Sequence, residues 1–330
     1  MSEAYDVAGI GNAIVDVLAP VTDAFLLEHN VAKGVMTLID EHRARQLYEA
    51  FGTGSEIAGG SAANTMAGLA SLGGNGVFIG KVKDDRLGRG FAESLRRLGV
   101  RFTTQMASDG PSTACCLIAV TEEGQRSMNT FLGASREISP DDIDETTIAA
   151  SAVLYIEGYL WDQPRAKAAI EKAIGAARRA RRRVALTLSD PFCVSRYREE
   201  FLRLLSTSVD VLFANEDEAM ALYEADSFDH VLQAVRAWPG IAALTRSAKG
   251  CVVVRGHEIH VLDAHPVARV VDTTGAGDLF AAGFLYGLTR DRTLADCGRL
   301  GSLAAAEVIS HYGARPETSL KALAVEAALD

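Results

Sequence analysis

Short apolar segments alternate with segments of helical periodicity along most of this chain, and this alternation restricts the possible folds more than any other feature. It is regular from residue 152 onward. The predicted elements there are a strand at 152–156, a helix after Pro164, a strand at 184–188, a helix at 196–205, a strand at 209–213, a helix from Glu216, and strands at 242–245 and 251–254. Consecutive strands that are joined by helices lie parallel in one sheet. The pattern therefore predicts an α/β fold with a mostly parallel central sheet flanked by helices.

The N-terminal third follows the same rule, but two turn-rich stretches of alternating polarity interrupt it at residues 15–39 and 101–132. In the second stretch, Thr121-Glu122-Glu123-Gly124 is typical of a hairpin tip. We expect the two stretches to pair into a small discontinuous β-sheet lid over the C-terminal edge of the main sheet, where open α/β folds bind ligands. The expected division is a large domain of residues 1–14, 40–100 and 133–330, and a lid of residues 15–39 and 101–132.

Composition excludes several classes of function. The 330 residues carry a formal net charge of −10, so no overall positive field favours nucleic acid or an anionic membrane. The N-terminal segment lacks the basic and apolar regions of a signal peptide, and no apolar run approaches the length of a membrane span. Five scattered cysteines are typical of reduced thiols, so we expect a cytoplasmic protein without nucleic-acid or membrane partners.

Residues 272–278, Asp-Thr-Thr-Gly-Ala-Gly-Asp, follow a β-like segment and open an apolar helix that is predicted at 276–288. Small residues at a helix N-terminus let backbone N–H groups face an anion, and the positive end of the helix dipole adds to the attraction. Asp278 in that first turn has two interpretations. It is either an ordinary acidic residue that suits the dipole or a general base that takes a proton from a hydroxyl nucleophile.

A second motif lies about 200 residues earlier, where residues 59–65 read Gly-Gly-Ser-Ala-Ala-Asn-Thr and residues 80–88 form a related glycine- and aspartate-containing stretch. With residues 272–278, these motifs resemble the N- and C-terminal signatures of the ribokinase-like, or phosphofructokinase-B (PfkB), family of carbohydrate kinases. The resemblance covers essentially the whole chain, and within the family it is strongest to the adenosine kinases. It implies a large α/β domain with a small β-sheet lid, which agrees with the division read from the pattern alone.

The resemblance also implies roles for individual residues. Asp278 matches the family's catalytic base, and its anion hole corresponds to Gly275, Ala276 and Gly277. Arg126 resembles the lid arginine that closes over the phosphates. The residues that match the family's sugar-hydroxyl binders are Asn12, Asp16, Gly59, Gly60 and Asn64. A carboxylate such as that of Asp16 can accept from two vicinal hydroxyls at once, which suits this role.

Further matches concern the nucleotide and its cations. Asn215 and Glu218 resemble the N-x-x-E element that organises Mg²⁺ and its waters beside the phosphates of ATP. Thr245 and Gly250 match the family's nucleotide loop, although Ser247 stands where the family has a glycine. The positions that match a monovalent-cation site, occupied by K⁺ in some relatives, are Asp272, Thr274 and Gly313.

The sequence therefore predicts an ATP- and Mg²⁺-dependent kinase of the 5′-hydroxyl of a ribonucleoside, with adenosine converted to AMP. Two alternatives remain open. One is a free-sugar kinase of the ribokinase or fructokinase type, and the other is a catalytically dead relative that binds a sugar or nucleoside. The intact Asp278, Asn215 and Glu218 disfavour the dead relative. The pattern is compatible with a monomer or with a homodimer that forms through the lid.

Overall fold

The computed structural model describes residues 5–52 and 54–329. Its strands are, in chain order, β1 (Tyr5–Ile10), β2 (Ile14–Pro20), β3 (Met36–Leu38), β4 (Ser55–Gly59), β5 (Gly76–Ile79), β6 (Arg101–Phe102), β7 (Ala114–Val120), β8 (Arg126–Phe131), β9 (Ser151–Glu157), β10 (Arg183–Thr187), β11 (Val211–Asn215), β12 (Ile241–Thr245), β13 (Cys251–Arg255) and β14 (Glu258–Leu262).

The helices are, in chain order, α1 (Asp23–Glu28), α2 (Glu41–Phe51), α3 (Ser61–Ser71), α4 (Arg86–Arg97), α5 (Glu145–Ala149), α6 (Pro164–Arg179), α7 (Pro191–Thr207), α8 (Glu216–Tyr223), α9 (Phe228–Ala237), α10 (Ala276–Leu288), α11 (Leu294–Val308) and α12 (Leu320–Glu326). The helix predicted at 276–288 has the bounds expected from the sequence. None of the helices in the described residues is long and apolar enough to cross a membrane.

The larger sheet has the strand order β14-β13-β12-β11-β10-β9-β1-β5-β6. Strands β12 to β6 in that order are all parallel, and β13 and β14 add an antiparallel edge. Apolar residues on both faces of the sheet are buried in two separate clusters, one under α3, α10 and α11 and the other under α6 to α9. Helices on both faces explain why the inner strands are continuous apolar runs. The prediction of a mostly parallel central sheet flanked by helices is confirmed.

A second sheet has the order β3-β8-β7-β2-β4, and the hairpin predicted around residues 121–124 joins β7 to β8. Two strands differ from the expected division. Ser55–Gly59 pairs with β2 in the small sheet, although we expected it in the large domain, because its backbone continues the edge that Ile14–Pro20 leaves open. Arg101–Phe102 pairs with β5 in the large sheet, although we expected it in the lid, because the tight turn at Gly99 returns the chain from α4 to that sheet.

The two faces of the small sheet have different surroundings. Because side chains alternate along a strand, Val15, Val17, Cys115 and Leu117 point to one face, and these residues are buried in the cluster that also contains Leu47 of α2. The opposite face carries Asp16 of β2, and its cross-strand neighbour there is Cys116. On β7 and β8, this second face carries Cys116, Ile118, Met128 and Thr130, and Arg126 lies at its end. The small sheet thus has one face in the hydrophobic core and a second face that carries Asp16 and Arg126, on which Cys116 and Ile118 are also buried.

Candidate active site

Most of the predicted site residues lie at the carboxyl end of the parallel sheet. Asn12 follows β1, and Asn215 and Thr245 are the last residues of β11 and β12. Parallel neighbouring strands end at the same edge, so residues far apart in sequence converge there. Asp278, in the first turn of α10, faces the same edge and lines a cavity of about 210 Å³ together with Asn215, Glu218 and Thr245.

Asp278 joins the two sequence motifs. Its Oδ1 accepts a hydrogen bond of 2.6 Å from Ser61 Oγ, and its Oδ2 accepts one of 3.1 Å from Asn64 Nδ2. Ser61 and Asn64 lie one turn apart on α3, so both side chains project from the same helix face. Burial raises the pKa of Asp278 to about 6, and the two hydrogen bonds oppose that rise. The carboxylate is therefore ionised at neutral pH and already oriented. Sequence reasoning missed the contact from Ser61.

The loop before Asp278 has a conformation that suits anion binding. Gly275 is the N-cap of α10 with φ of +81°, and a Cβ on it would lie 2.8 Å from Ala314 Cα. The N–H of Ala276 donates to Thr273 O at 3.2 Å, whereas those of Gly275 and Gly277 make no hydrogen bond to any residue that the structure describes. Of the three predicted anion-hole residues, Gly275 and Gly277 thus keep free donors, and Ala276 does not. A Cβ on Gly277 would meet nothing within 4 Å, so open space lies in front of this residue.

The residues predicted to bind sugar hydroxyls surround Asp16. A Cβ on Gly59 would lie 2.3 Å from Asp16 Oδ2, and one on Gly60, whose φ is +94°, would lie 2.2 Å from Asn12 O. A side chain at either glycine would therefore collide with another predicted sugar-binding residue. Burial raises the pKa of Asp16 to about 6, whereas the charges of Arg126 and Arg315 oppose that rise. Its carboxylate makes no hydrogen bond with the described residues.

Glu157, the last residue of β9, was not predicted from the sequence. Its carboxylate accepts from Asn12 Nδ2 at 2.8 Å, from Asn12 N at 3.3 Å and from Ala62 N at 3.0 Å. Glu157 is fully buried, and burial raises its pKa to about 7. It ties the end of β1 to the start of α3 and fixes the amide of Asn12. An acidic residue at the end of an otherwise apolar parallel strand is the signal that would have found it.

Arg126 of β8 extends across to the loop before α10. It pairs with the carboxylate of Asp272 and lies 3.3 Å from Thr274 Oγ1, and its side chain is only 15% exposed. Asp272 also accepts from Thr274 N at 3.0 Å and from Gly313 N at 3.1 Å. The structure therefore brings together Arg126 and the three residues predicted for a monovalent cation. That cation role stays a prediction.

Asn215 and Glu218 form a reciprocal cap at the start of α8. Asn215 Oδ1 accepts from Glu218 N at 2.8 Å, and the Glu218 carboxylate accepts from Asn215 N at 3.0 Å and from Asn215 Nδ2 at 2.7 Å. Burial raises the pKa of Glu218 to about 7, with smaller contributions from other nearby carboxylates. A single buried carboxylate beside this cavity fits the way proteins hold Mg²⁺, through one or two carboxylates, water and substrate phosphates.

The predicted nucleotide loop follows β12. Thr245 lines the cavity, whereas Gly250, with φ of +79°, packs so that a Cβ would lie 2.0 Å from Leu262 O. Ser247, which replaces the family's glycine, has a φ of +51°. The loop thus takes a left-handed conformation at this position in spite of the serine. Arg246 holds the loop against α8 through Glu216, with N–O distances of 3.1 and 3.2 Å.

Comparisons with known proteins agree with this geometry. A family model described as pfkB family carbohydrate kinase matches residues 36–321. The crystal structure of an adenosine kinase from Sinorhizobium meliloti is similar with a TM-score of 0.90 and 51% identity, covering 98% of this chain and 99% of that one. A probable sugar kinase from Rhizobium etli CFN 42 gives a TM-score of 0.92 and 47% identity over 100% of both chains. An adenosine kinase of Saccharomyces cerevisiae is 29% identical over 92% of this chain and 94% of its own length.

Proposed function

This chain belongs to the pfkB family of carbohydrate kinases and is a phosphotransferase that acts on an alcohol group, and we propose that its acceptor is the 5′-hydroxyl of a ribonucleoside, with adenosine converted to AMP. One observation carries this proposal. Asp278 lines the cavity beside the glycine loop, which is the segment Gly275–Gly277. Ser61 and Asn64 of α3, the helix that follows the predicted sugar-binding glycine pair, donate hydrogen bonds to Asp278. The residues that we propose as the base, the anion site and the polyol site therefore lie close together.

In the proposed mechanism, Asp16 accepts hydrogen bonds from the two ribose hydroxyls and fixes the ring. Asp278 accepts the proton of the 5′-hydroxyl as its oxygen attacks the γ-phosphorus of ATP, and ADP leaves with the bond between the γ-phosphorus and the bridging oxygen broken. The free N–H groups of Gly275 and Gly277 stabilise the charge that develops on the phosphoryl oxygens. Arg126 adds positive charge beside them.

Asn215 and Glu218 would hold Mg²⁺ through water, and the ion supplies positive charge that offsets the charge of the ATP phosphates. Asp272, Thr274 and Gly313 are the proposed residues for a monovalent cation such as K⁺, supported by the hydrogen bonds that gather them around one carboxylate.

The apolar face of the small sheet supports a nucleoside rather than a free sugar. Around Asp16, this face carries Ile14, Cys116, Ile118 and Met128, and the edge strand adds the exposed Met36 and Leu38. A free sugar needs polar groups around its whole ring, whereas a nucleoside also needs apolar surface for a flat base. The relative from Sinorhizobium meliloti, 51% identical, is an adenosine kinase, which agrees with this choice.

The test is ADP release with ATP, Mg²⁺ and a panel of nucleosides and sugars. We expect kcat/KM for adenosine to exceed that for ribose by at least about 10³, because burial of a base adds several kcal/mol of apolar contact. Comparable efficiency on ribose or fructose would support the free-sugar alternative, to which the probable sugar kinase of Rhizobium etli points. Absence of turnover on the entire panel would leave a binding protein.

A further inference from the structure

The segment between α11 and α12 forms a wall behind the glycine loop, and three consecutive residues of it contact the site. The N–H of Gly313 donates to Asp272, and Ala314 packs against Gly275 so closely that no Cβ fits there. The third residue, Arg315, extends its guanidinium toward Asn64 on α3. The motifs recognised in the sequence did not include this arginine.

The contacts of Arg315 are unusual for a cation. Its Nη1 donates to Ser94 Oγ at 3.0 Å, and its Nε lies 3.5 Å from Asn64 Oδ1. Its Nη2 is buried and has no hydrogen-bond partner among the described residues. Burial holds the pKa of Arg315 below its usual range, at about 10. A guanidinium in such surroundings carries a desolvation penalty, and a buried donor without a partner calls for an explanation.

The amide of Asn64 lies between this cation and the carboxylate of Asp278. Its Oδ1 faces Arg315 and its Nδ2 donates to Asp278 Oδ2 at 3.1 Å. Rotation of the amide by 180° would bring its oxygen against the carboxylate and its NH₂ against the guanidinium, and both contacts would be repulsive. The two charged neighbours therefore select one of the two orientations.

We propose that Arg315 is a positioning residue for phosphoryl transfer, which holds the Asn64 amide in the orientation that donates to the base Asp278. The inference rests on the proposed function, because it gives Asp278 the role of base. Arg315 does not contact the reacting atoms and acts through Asn64. Without Arg315, Asp278 alone would select the orientation, so the amide would adopt the reversed orientation for part of the time, and Asp278 would then lose one of its two side-chain donors.

That loss has a defined direction in pH. The hydrogen bond from Asn64 lowers the pKa of Asp278, so weakening it raises that pKa, and the ionised base is then reached only at higher pH. Other titratable groups near this carboxylate are Asp16 of β2, Tyr155 and Glu157 of β9, Tyr159 in the turn after β9, and Glu218 of α8. The pKa values of Glu157 and Glu218 are about 7, so only the part of a pH effect that depends on Asn64 is diagnostic.

The experiment measures kcat against pH, with the best acceptor of the panel, for the wild type, Arg315→Met, Asn64→Ala and the double variant. We expect Arg315→Met to move the acid limb of kcat upward by about 0.5–1 pH unit, the size of one donated hydrogen bond. Above that limb its kcat should stay within about threefold of wild type. Arg315→Lys, which keeps the charge, should recover part of the shift. In the Asn64→Ala background, Arg315→Met should add no further shift.

An unshifted limb in Arg315→Met, or an equal shift with and without Asn64, overturns the inference. The variant Asp278→Asn distinguishes failure of the inference about Arg315 from failure of the proposed function. Near-normal turnover of Asp278→Asn refutes the base and the inference together, whereas loss of turnover with an unshifted Arg315→Met limb refutes the inference alone. If Arg315→Met does not fold, Ser94→Ala replaces it, because this change removes the anchor at Nη1 without touching Asn64. A smaller upward shift is then expected, and no shift overturns the inference.

Discussion

Replacement of Asp278 by asparagine separates the role of this residue in catalysis from its role in structure. The carboxylate accepts from Ser61 Oγ and Asn64 Nδ2. An amide at this position can accept from Asn64 through its oxygen and donate to Ser61 through its NH₂, because a serine hydroxyl is both a donor and an acceptor. Both contacts can therefore survive in Asp278→Asn, and the change removes the base without breaking its surroundings.

The expected magnitude follows from the loss of proton transfer. Removal of a positioned general base costs roughly 10²–10⁴ in rate, which corresponds to about 3–5 kcal/mol of transition-state stabilisation. We expect kcat of Asp278→Asn to fall by this factor and the Kd for adenosine to change by less than about threefold. Coupled ADP release measures the first quantity and titration calorimetry the second.

The pH dependence of the wild type provides a second measure of the same residue. With a pKa of about 6, Asp278 is ionised over protonated by a factor of about 30 at pH 7.5, and the base is active only when ionised. The kcat of the wild type should therefore rise with pH through about 6 and then reach a plateau. The residual kcat of Asp278→Asn should lack the part of this rise around pH 6 that comes from ionisation of Asp278.

Ser61→Ala is the matched control. It removes one donor to Asp278 but leaves the carboxylate in place, so its acid limb should move to higher pH while its plateau stays close to that of wild type. Turnover of Asp278→Asn within about threefold of wild type would refute the reasoning, since Asp278 would then only cap α10.

Three further variants test other parts of the site. Asp16→Ala should raise the Kd for adenosine by at least about tenfold and leave that for ATP unchanged, because it removes charge-assisted acceptors for the ribose hydroxyls; calorimetry would show a structural fault as equal weakening of both ligands. Gly277→Ala should not lower the melting temperature, since its Cβ meets nothing within 4 Å, but should raise KM for ATP at least about tenfold. Gly90→Ala, equally open on α4, should leave KM for ATP unchanged and raise the melting temperature slightly, because alanine is a better helix former than glycine. Glu157 has a folded-state pKa of about 7, above its ordinary value, so its stabilising contribution is complete below the unfolded-state pKa and is lost as pH rises through 7. In urea unfolding, the free energy of unfolding of Glu157→Gln should therefore rise relative to that of wild type between pH 5 and 8. A difference that stays constant with pH would contradict the assignment.

The large sheet could be predicted from sequence because each of its inner strands is apolar on both faces and is followed by a helical segment. The apolar segment 242–245 and the glycine loop before Asp278 are examples where periodicity and composition agree. Ser55–Gly59 lacks such a signal, since three of its five residues are exposed and its last residue belongs to the glycine pair. Its position in the small sheet depends on pairing with β2 far along the chain, which local patterns do not contain.

The site was predicted in the same uneven way. Asp278, Asn64 and Asp16 became candidates because they match short motifs of the family that they resemble, and their roles stay predictions. Arg315 was missed because it lies in an irregular segment, and its significance arises from contacts with Asn64 and Ser94, residues more than 200 positions away. Ser247 departs from the family's glycine at a single position of the nucleotide loop. The loop nevertheless has a left-handed conformation there, and the packing of Gly250 and the ion pair of Arg246 with Glu216 hold it in place.

Four of the buried or half-buried carboxylates of the site, those of Asp16, Glu157, Glu218 and Asp278, differ in how many donors the protein supplies. Glu157 accepts three hydrogen bonds, and Asp278 and Glu218 accept two each from the groups that position them. Asp16 accepts none from the described residues, although burial raises its pKa in the same way. An unpaired carboxylate in such surroundings costs free energy that only a donor from outside the chain can recover. The two ribose hydroxyls of the proposed substrate would supply such donors, which supports the role that we propose for Asp16.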